Sequence, residues 1–125
     1  MIEIFIFIMV LITSFLQIIH IFEEIHLEAY NIIKGKVSKK KYFFAASILI
    51  ILNYFVILLL YFNNPIGNYA AFYTVFISMG NALAHLSMFI KDKDKKTLGY
   101  GLPSAIPLGI AGVILLILLI QFLIS

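Results

Sequence analysis

Gln17-Ile18-Ile19-His20-Ile21-Phe22-Glu23-Glu24 sets an imidazole and two carboxylates inside a segment that is otherwise strongly apolar from Ile2 to about Ile33. A bilayer hydrocarbon core of about 30 Å needs roughly 20 helical residues, so the segment is long enough to be a membrane helix. Each ionisable side chain carried into such a helix costs on the order of 3 kcal/mol, and a group of them marks a functional site. Glu3 stands where a secretory signal would carry basic residues, and no small-residue cleavage site follows a short apolar core. Both features favour a retained helix over a cleaved signal peptide.

The whole chain fits this reading. Of its 125 residues 63% are hydrophobic and only 12% charged, far from the composition of a soluble globular domain. With no cysteine, any metal must be held by His, carboxylate or amide groups. The formal charge of +3 rests on nine basic residues, all lysine, gathered in two short clusters. That grouping is a topology signal and not a nucleic-acid footprint, which would spread its charge over a water-exposed face.

Four segments follow, expected as helices over about 2–33, 42–62, 69–90 and 102–124. Lys34-Gly35-Lys36 and Lys39-Lys40-Lys41 form a basic turn after the first, with Gly35 as its stop. Asn63-Asn64-Pro65-Ile66-Gly67-Asn68 is an uncharged turn, and Lys91 to Lys96 form a second basic loop. Pro103 and Pro107 fall in the first turns of the last segment. The fold expected is an all-α integral membrane four-helix bundle, a single domain over 1–125. Both lysine loops must lie on one side, and the positive-inside rule makes that side cytoplasmic, with N-terminus and C-terminus outside. Tyr42, Tyr61, Tyr69 and Tyr100 fall at helix ends, where amphipathic rings prefer to sit and need no further role. The localisation expected is the cell membrane, multi-pass.

At about 100° per residue, Thr13, Gln17, His20, Glu24 and Glu28 share one stripe of the first helix, with Glu23 about 60° to its side. Thr74, Ser78, Asn81 and His85 make a second stripe on the third. Such stripes must face each other, the bundle interior or a wet cavity. Glu24 and Asn81 each precede the first lysine of the following loop by ten residues, and Asn53 lies twelve past Lys41, so the three are expected at similar depth in the cytoplasmic half. Tyr100, Gly101, Pro103, Ser104 and Pro107 would form the mouth there. His26 points away from the stripe and Glu28 lies at the solvated rim. Phe5, Phe7, Phe55, Phe72 and Phe76 are expected to face lipid or to pack.

His20 and Glu24, at i and i+4, are placed as two metal ligands on one helix face, as in the H-x-x-E-H zinc motif with its second His replaced by Glu. His85 would be the third ligand. Two His and one carboxylate leave an open position on zinc, or form the facial triad of non-haem iron. Glu23, beside the second ligand, would hold or deprotonate a bound water, and Asn81 would bond a substrate carbonyl. The alternative is a metal-free polar core gluing helices one and three, but Ser, Thr or Asn would do that at lower desolvation cost.

His20-Ile21-Phe22-Glu23-Glu24, Asn81-Ala82-Leu83-Ala84-His85 and Tyr100-Gly101-Leu102-Pro103-Ser104 to Gly109 together resemble the HXXEE-motif family of small multi-pass membrane proteins. The resemblance covers nearly the whole chain and implies a helical membrane protein with a catalytic or metal site; it implies no particular activity. The reading reached is a membrane-embedded, metal-dependent enzyme, a hydrolase or transferase acting on a lipid or lipid-linked substrate. His20, Glu24 and His85 would bind a divalent metal, zinc first and iron second, with Glu23 and Asn81 catalytic. The partners expected are the bilayer and that substrate, with no nucleic acid. The rivals are an ion or proton transporter or channel subunit using the same His and Glu residues, and a non-catalytic membrane scaffold protein.

Overall fold

A computed structural model of the chain describes residues 1–28, 37–91 and 101–125. It contains four helices, α1 (Ile2–His26), α2 (Lys39–Tyr61), α3 (Ile66–Lys91) and α4 (Leu102–Ile124), and no strand among the described residues. Each is long and apolar enough to cross a membrane. The shortest have 23 residues, about 35 Å at 1.5 Å per residue, against a hydrocarbon core of about 30 Å.

The polarity of the bundle is that of a protein solvated by lipid. Phe5, Phe15, Phe22, Phe44, Phe55 and Phe76 lie on its surface, whereas Thr13, Gln17, His20, Asn53, Thr74, Ser78 and His85 are buried. Both sequence stripes therefore turn inward, because lipid offers a polar group no hydrogen-bond partner. Glu28 is the exception and is exposed, as is His26. In the half of the bundle away from the lysines, the interior is sealed by Ile6, Val10, Val56, Ala71, Val75, Leu115 and Leu119.

α4 packs along both α1 and α3, and these two also touch each other. The close approach of α3 and α4 depends on two glycines. A Cβ on Gly109 would stand 2.4 Å from the Ala82 Cβ, and one on Gly112 would stand 2.3 Å from the Ser78 Oγ. Since lipid tails are as apolar as leucine, such small-residue contacts, and not apolar burial, hold membrane helices together. Hydrogen bonds add to them: Thr74 Oγ1 donates to Asn53 Oδ1 at 2.8 Å, which makes Asn53 a tie between α2 and α3.

The helix ends differ from the expected bounds. α1 is helical to His26 and not to about Ile33; Leu27 caps it and Glu28 adopts a left-handed φ of 54°. The expected stop at Gly35 lies outside the described residues, as do Tyr100 and the loop from Asp92 to Lys96. α2 begins earlier than expected, at Lys39, because the Ser38 Oγ accepts from the Lys41 amide at 3.3 Å. α3 likewise begins at Ile66, whose amide donates to Asn64 Oδ1 at 2.9 Å.

Candidate metal centre

The last turns of α1 supply His20 and Glu24, and α3 supplies His85 from across the interior. The two imidazole rings lie edge to face with centroids 4.7 Å apart. His85 Nε2 stands 2.8 Å from Glu24 Oε1, and His20 Nε2 stands 3.4 Å from the same oxygen. One ligand atom from each of the three residues lies within 4.8 Å of the others, a separation that a single divalent ion can span. Both His residues are buried, while the Glu24 side chain keeps 15% exposure.

Residues from α2 and α4 hold these side chains from behind. Ser104 Oγ lies 2.8 Å from His20 Nδ1 and 3.2 Å from the Gly101 carbonyl. A serine hydroxyl has one proton: given to the carbonyl, it leaves the oxygen to accept from Nδ1–H; given to the ring, it places the imidazole hydrogen on Nε2, toward Glu24. Only the first arrangement presents the Nε2 lone pair that a metal would need. That atom is buried, has no hydrogen-bond partner, and faces Glu24 and His85. On the far side of the carboxylate, the Tyr42 hydroxyl donates to Glu24 Oε2. Contacts of this kind hold imidazoles and carboxylates in place at metal sites, and here they hold His20 and Glu24.

Gly101 closes the site. Its φ of 99° suits glycine, and a Cβ there would lie 3.1 Å from the His85 Cε1, 3.2 Å from the Glu24 Cγ and 3.2 Å from the His20 Cε1. The start of α4 is thus a wall of the site as well as its mouth. On the inner side, Asn81 Nδ2 donates to Gln17 Oε1 at 3.3 Å, each about one turn from His85 and His20 respectively. Asn81 is therefore engaged with α1 in this arrangement and lies outside the three-residue group. Glu23 is half-buried on the neighbouring face of α1 and also lies outside it.

Of the residues expected at the site, the structure brings His20, Glu24 and His85 together and sets Glu23 and Asn81 at its edge. Tyr42 is a correction: it is more than an interfacial ring, since it bonds a site carboxylate. Only its place in the first turn of the second helix, at the lysine-bearing end, could have signalled this. Ser104, expected only as a mouth residue, touches the His20 imidazole directly, and Gly101, expected likewise, leaves no free room for a side chain beside both rings. A scan against protein-family models and searches of curated proteins and of solved structures found no match to this chain.

Proposed function

We propose that the chain is a membrane-embedded, metal-dependent enzyme, a hydrolase or transferase acting on a lipid or lipid-linked substrate, akin to the HXXEE-motif proteins it resembles. The observation that carries this reading is the buried, unpartnered His20 Nε2, aimed at the point where His85 Nε2 and Glu24 Oε1 meet. With the imidazole hydrogen on Nδ1, His20 Nε2 would be a buried acceptor without a partner, at a cost of about 1–3 kcal/mol that a cation would relieve. His20, Glu24 and His85 would hold the ion, zinc first and iron second, by a two-His-one-carboxylate set that leaves positions open. A divalent ion bound there would polarise a substrate oxygen and lower the pKa of water.

The protein's own groups have separable tasks. Ser104 keeps His20 Nε2 turned inward, and Tyr42 holds the second oxygen of Glu24. Glu23, one residue from a ligand and half-buried, takes the proton from the attacking nucleophile. Asn81 exchanges its bond to Gln17 for one to the substrate. A lipid substrate is favoured because the site lies near the end of α1 and the start of α2, where Lys39 to Lys41 would attract an anionic headgroup. The lysines also orient the chain, with the site toward the cytoplasm and both termini outside the cell membrane. A conducting role is disfavoured by the buried apolar cluster of Ile6, Val10, Leu115 and Leu119 in the other half.

The test is metal analysis of protein purified from metal-replete cells, beside the double variant His20→Ala, His85→Ala. Wild type should carry about one ion per chain and the double variant none. A wild type without metal, folded and monodisperse, would overturn the reading in favour of a structural or proton-relay core.

A further inference from the structure

At the end of the bundle opposite the His and Glu cluster lies a second pocket, of about 480 Å³, a size that suits a small molecule. It sits where the start of α1, the end of α2, the start of α3 and the end of α4 converge, and the rings of Phe7, Tyr61, Tyr69 and Phe122 are all in its lining. Glu3 is the only charged residue that lines it, exposed and with no ion pair or hydrogen bond among the described residues. Phe7 follows Glu3 by four residues and so shares its face of α1. The Phe7 and Tyr61 rings stand with centroids 6.5 Å apart, and Tyr61 is itself held by Phe62, edge to face at 5.2 Å. The described lysines, Lys39 to Lys41 and Lys91, all lie at the other end of their helices.

An unpaired carboxylate among aromatic rings, with no lysine side chain beside it, sets both the charge and the surface of the complementary ligand. The carboxylate calls for a cation, and the rings favour one that is itself largely apolar, since they offer apolar contact together with attraction for positive charge. A lipophilic onium ion answers both and carries no hydrogen-bonding or anionic group that the pocket would leave unmatched. A zwitterionic lipid headgroup would bring a phosphate into a lining that holds no cation. Ile4, also in the lining, is exposed to the surroundings of the bundle and gives the pocket an apolar flank. We infer that this pocket binds a lipophilic onium cation, an aryl- or alkyl-substituted ammonium or phosphonium, with Glu3 as its counter-ion and Phe7 and Tyr61 as its ring contacts. The site is separate from the metal centre and does not depend on it.

Equilibrium dialysis of the purified protein in a non-ionic detergent against radiolabelled tetraphenylphosphonium tests the assignment, with empty micelles as the blank and tetraphenylborate as the anion of the same shape. Wild type should bind the cation saturably, about one per chain, and take up the borate only as empty micelles do. Glu3→Gln, at an exposed position, should lower the affinity about tenfold, whereas Glu3→Asp, which keeps the charge, should retain most of it. Phe7→Leu and Tyr61→Leu should each lower it about two- to fivefold. Gly80→Ala, on an open face of α3, should bind as wild type does. Wild-type uptake no greater than that of empty micelles, undiminished binding by Glu3→Gln, or saturable binding of the borate would overturn the inference. Loss on Glu3→Gln with no loss in either ring variant would overturn the lipophilic class, leaving a carboxylate that pairs with any cation.

Discussion

Ser104 Oγ on α4 meets His20 Nδ1 on α1 at 2.8 Å, and this contact engages one nitrogen of the buried ring and leaves Nε2 facing Glu24 and His85. Without it the imidazole would lose the contact that holds Nε2 toward them. Ser104→Ala should therefore lower metal affinity by about 10–100-fold while leaving the ligands in place. Competition titration with a chromophoric chelator would measure the change, and an unaltered affinity would assign Ser104 to helix packing alone.

Gly101 combines a left-handed backbone with a place where an added Cβ would crowd His20, Glu24 and His85 together. Gly101→Ala should cost about 1–3 kcal/mol from the backbone alone and displace the ligands besides. Both thermal stability in detergent and metal content should fall. Gly80→Ala, where an added Cβ meets nothing within 4 Å, should instead be neutral or stabilising by up to about 1 kcal/mol.

Glu23 and Glu24 are adjacent and alike in composition, but only Glu24 joins the two His residues. Glu24→Gln should weaken metal binding, since it removes the one anionic ligand. Glu23→Gln should keep most of the metal and lose turnover, about 10²–10⁴-fold if it transfers the proton. Metal content can be compared before any substrate is known. Equal, wild-type metal binding by both variants would remove Glu24 from the ligand set.

Gly112 leaves no room for a side chain against Ser78. Gly112→Val should overpack the α3 and α4 interface, costing about 1–3 kcal/mol or more. A lowered unfolding temperature in detergent is the readout, and a wild-type value would show that the two helices can separate freely.

The orientation can be tested by thiol labelling of intact cells, since the chain has no cysteine of its own. A membrane-impermeant reagent should modify Asn64→Cys, in the turn between α2 and α3, but not Lys40→Cys at the start of α2. The opposite pattern would invert the topology.

The sequence by itself determined the four spans and the two inward polar stripes. Span length and helical period are local properties, and polar groups in lipid must turn toward protein, so Thr13, Gln17 and His20 on α1 and Thr74, Ser78 and His85 on α3 could be assigned to the interior one helix at a time. The spacing of His20 and Glu24 likewise follows from one turn of α1. Only the tertiary structure decided that Tyr42 reaches Glu24, that Ser104 and Gly101 press on the imidazoles, that Asn81 pairs with Gln17, and that α1 stops at His26. The contacts of Tyr42, Ser104 and Gly101 depend on how α2 and α4 are rotated and how closely they approach, and their sequences say little about either. In water an apolar stripe reveals which face is buried; in a bilayer the lipid is as apolar as the neighbouring helix, so the buried Leu108 and Leu115 and the exposed Ile110 and Ile114 of α4 read alike. What fixes that rotation is contact between small residues, Gly109 on Ala82 and Gly112 on Ser78, which exists only once the helices are packed.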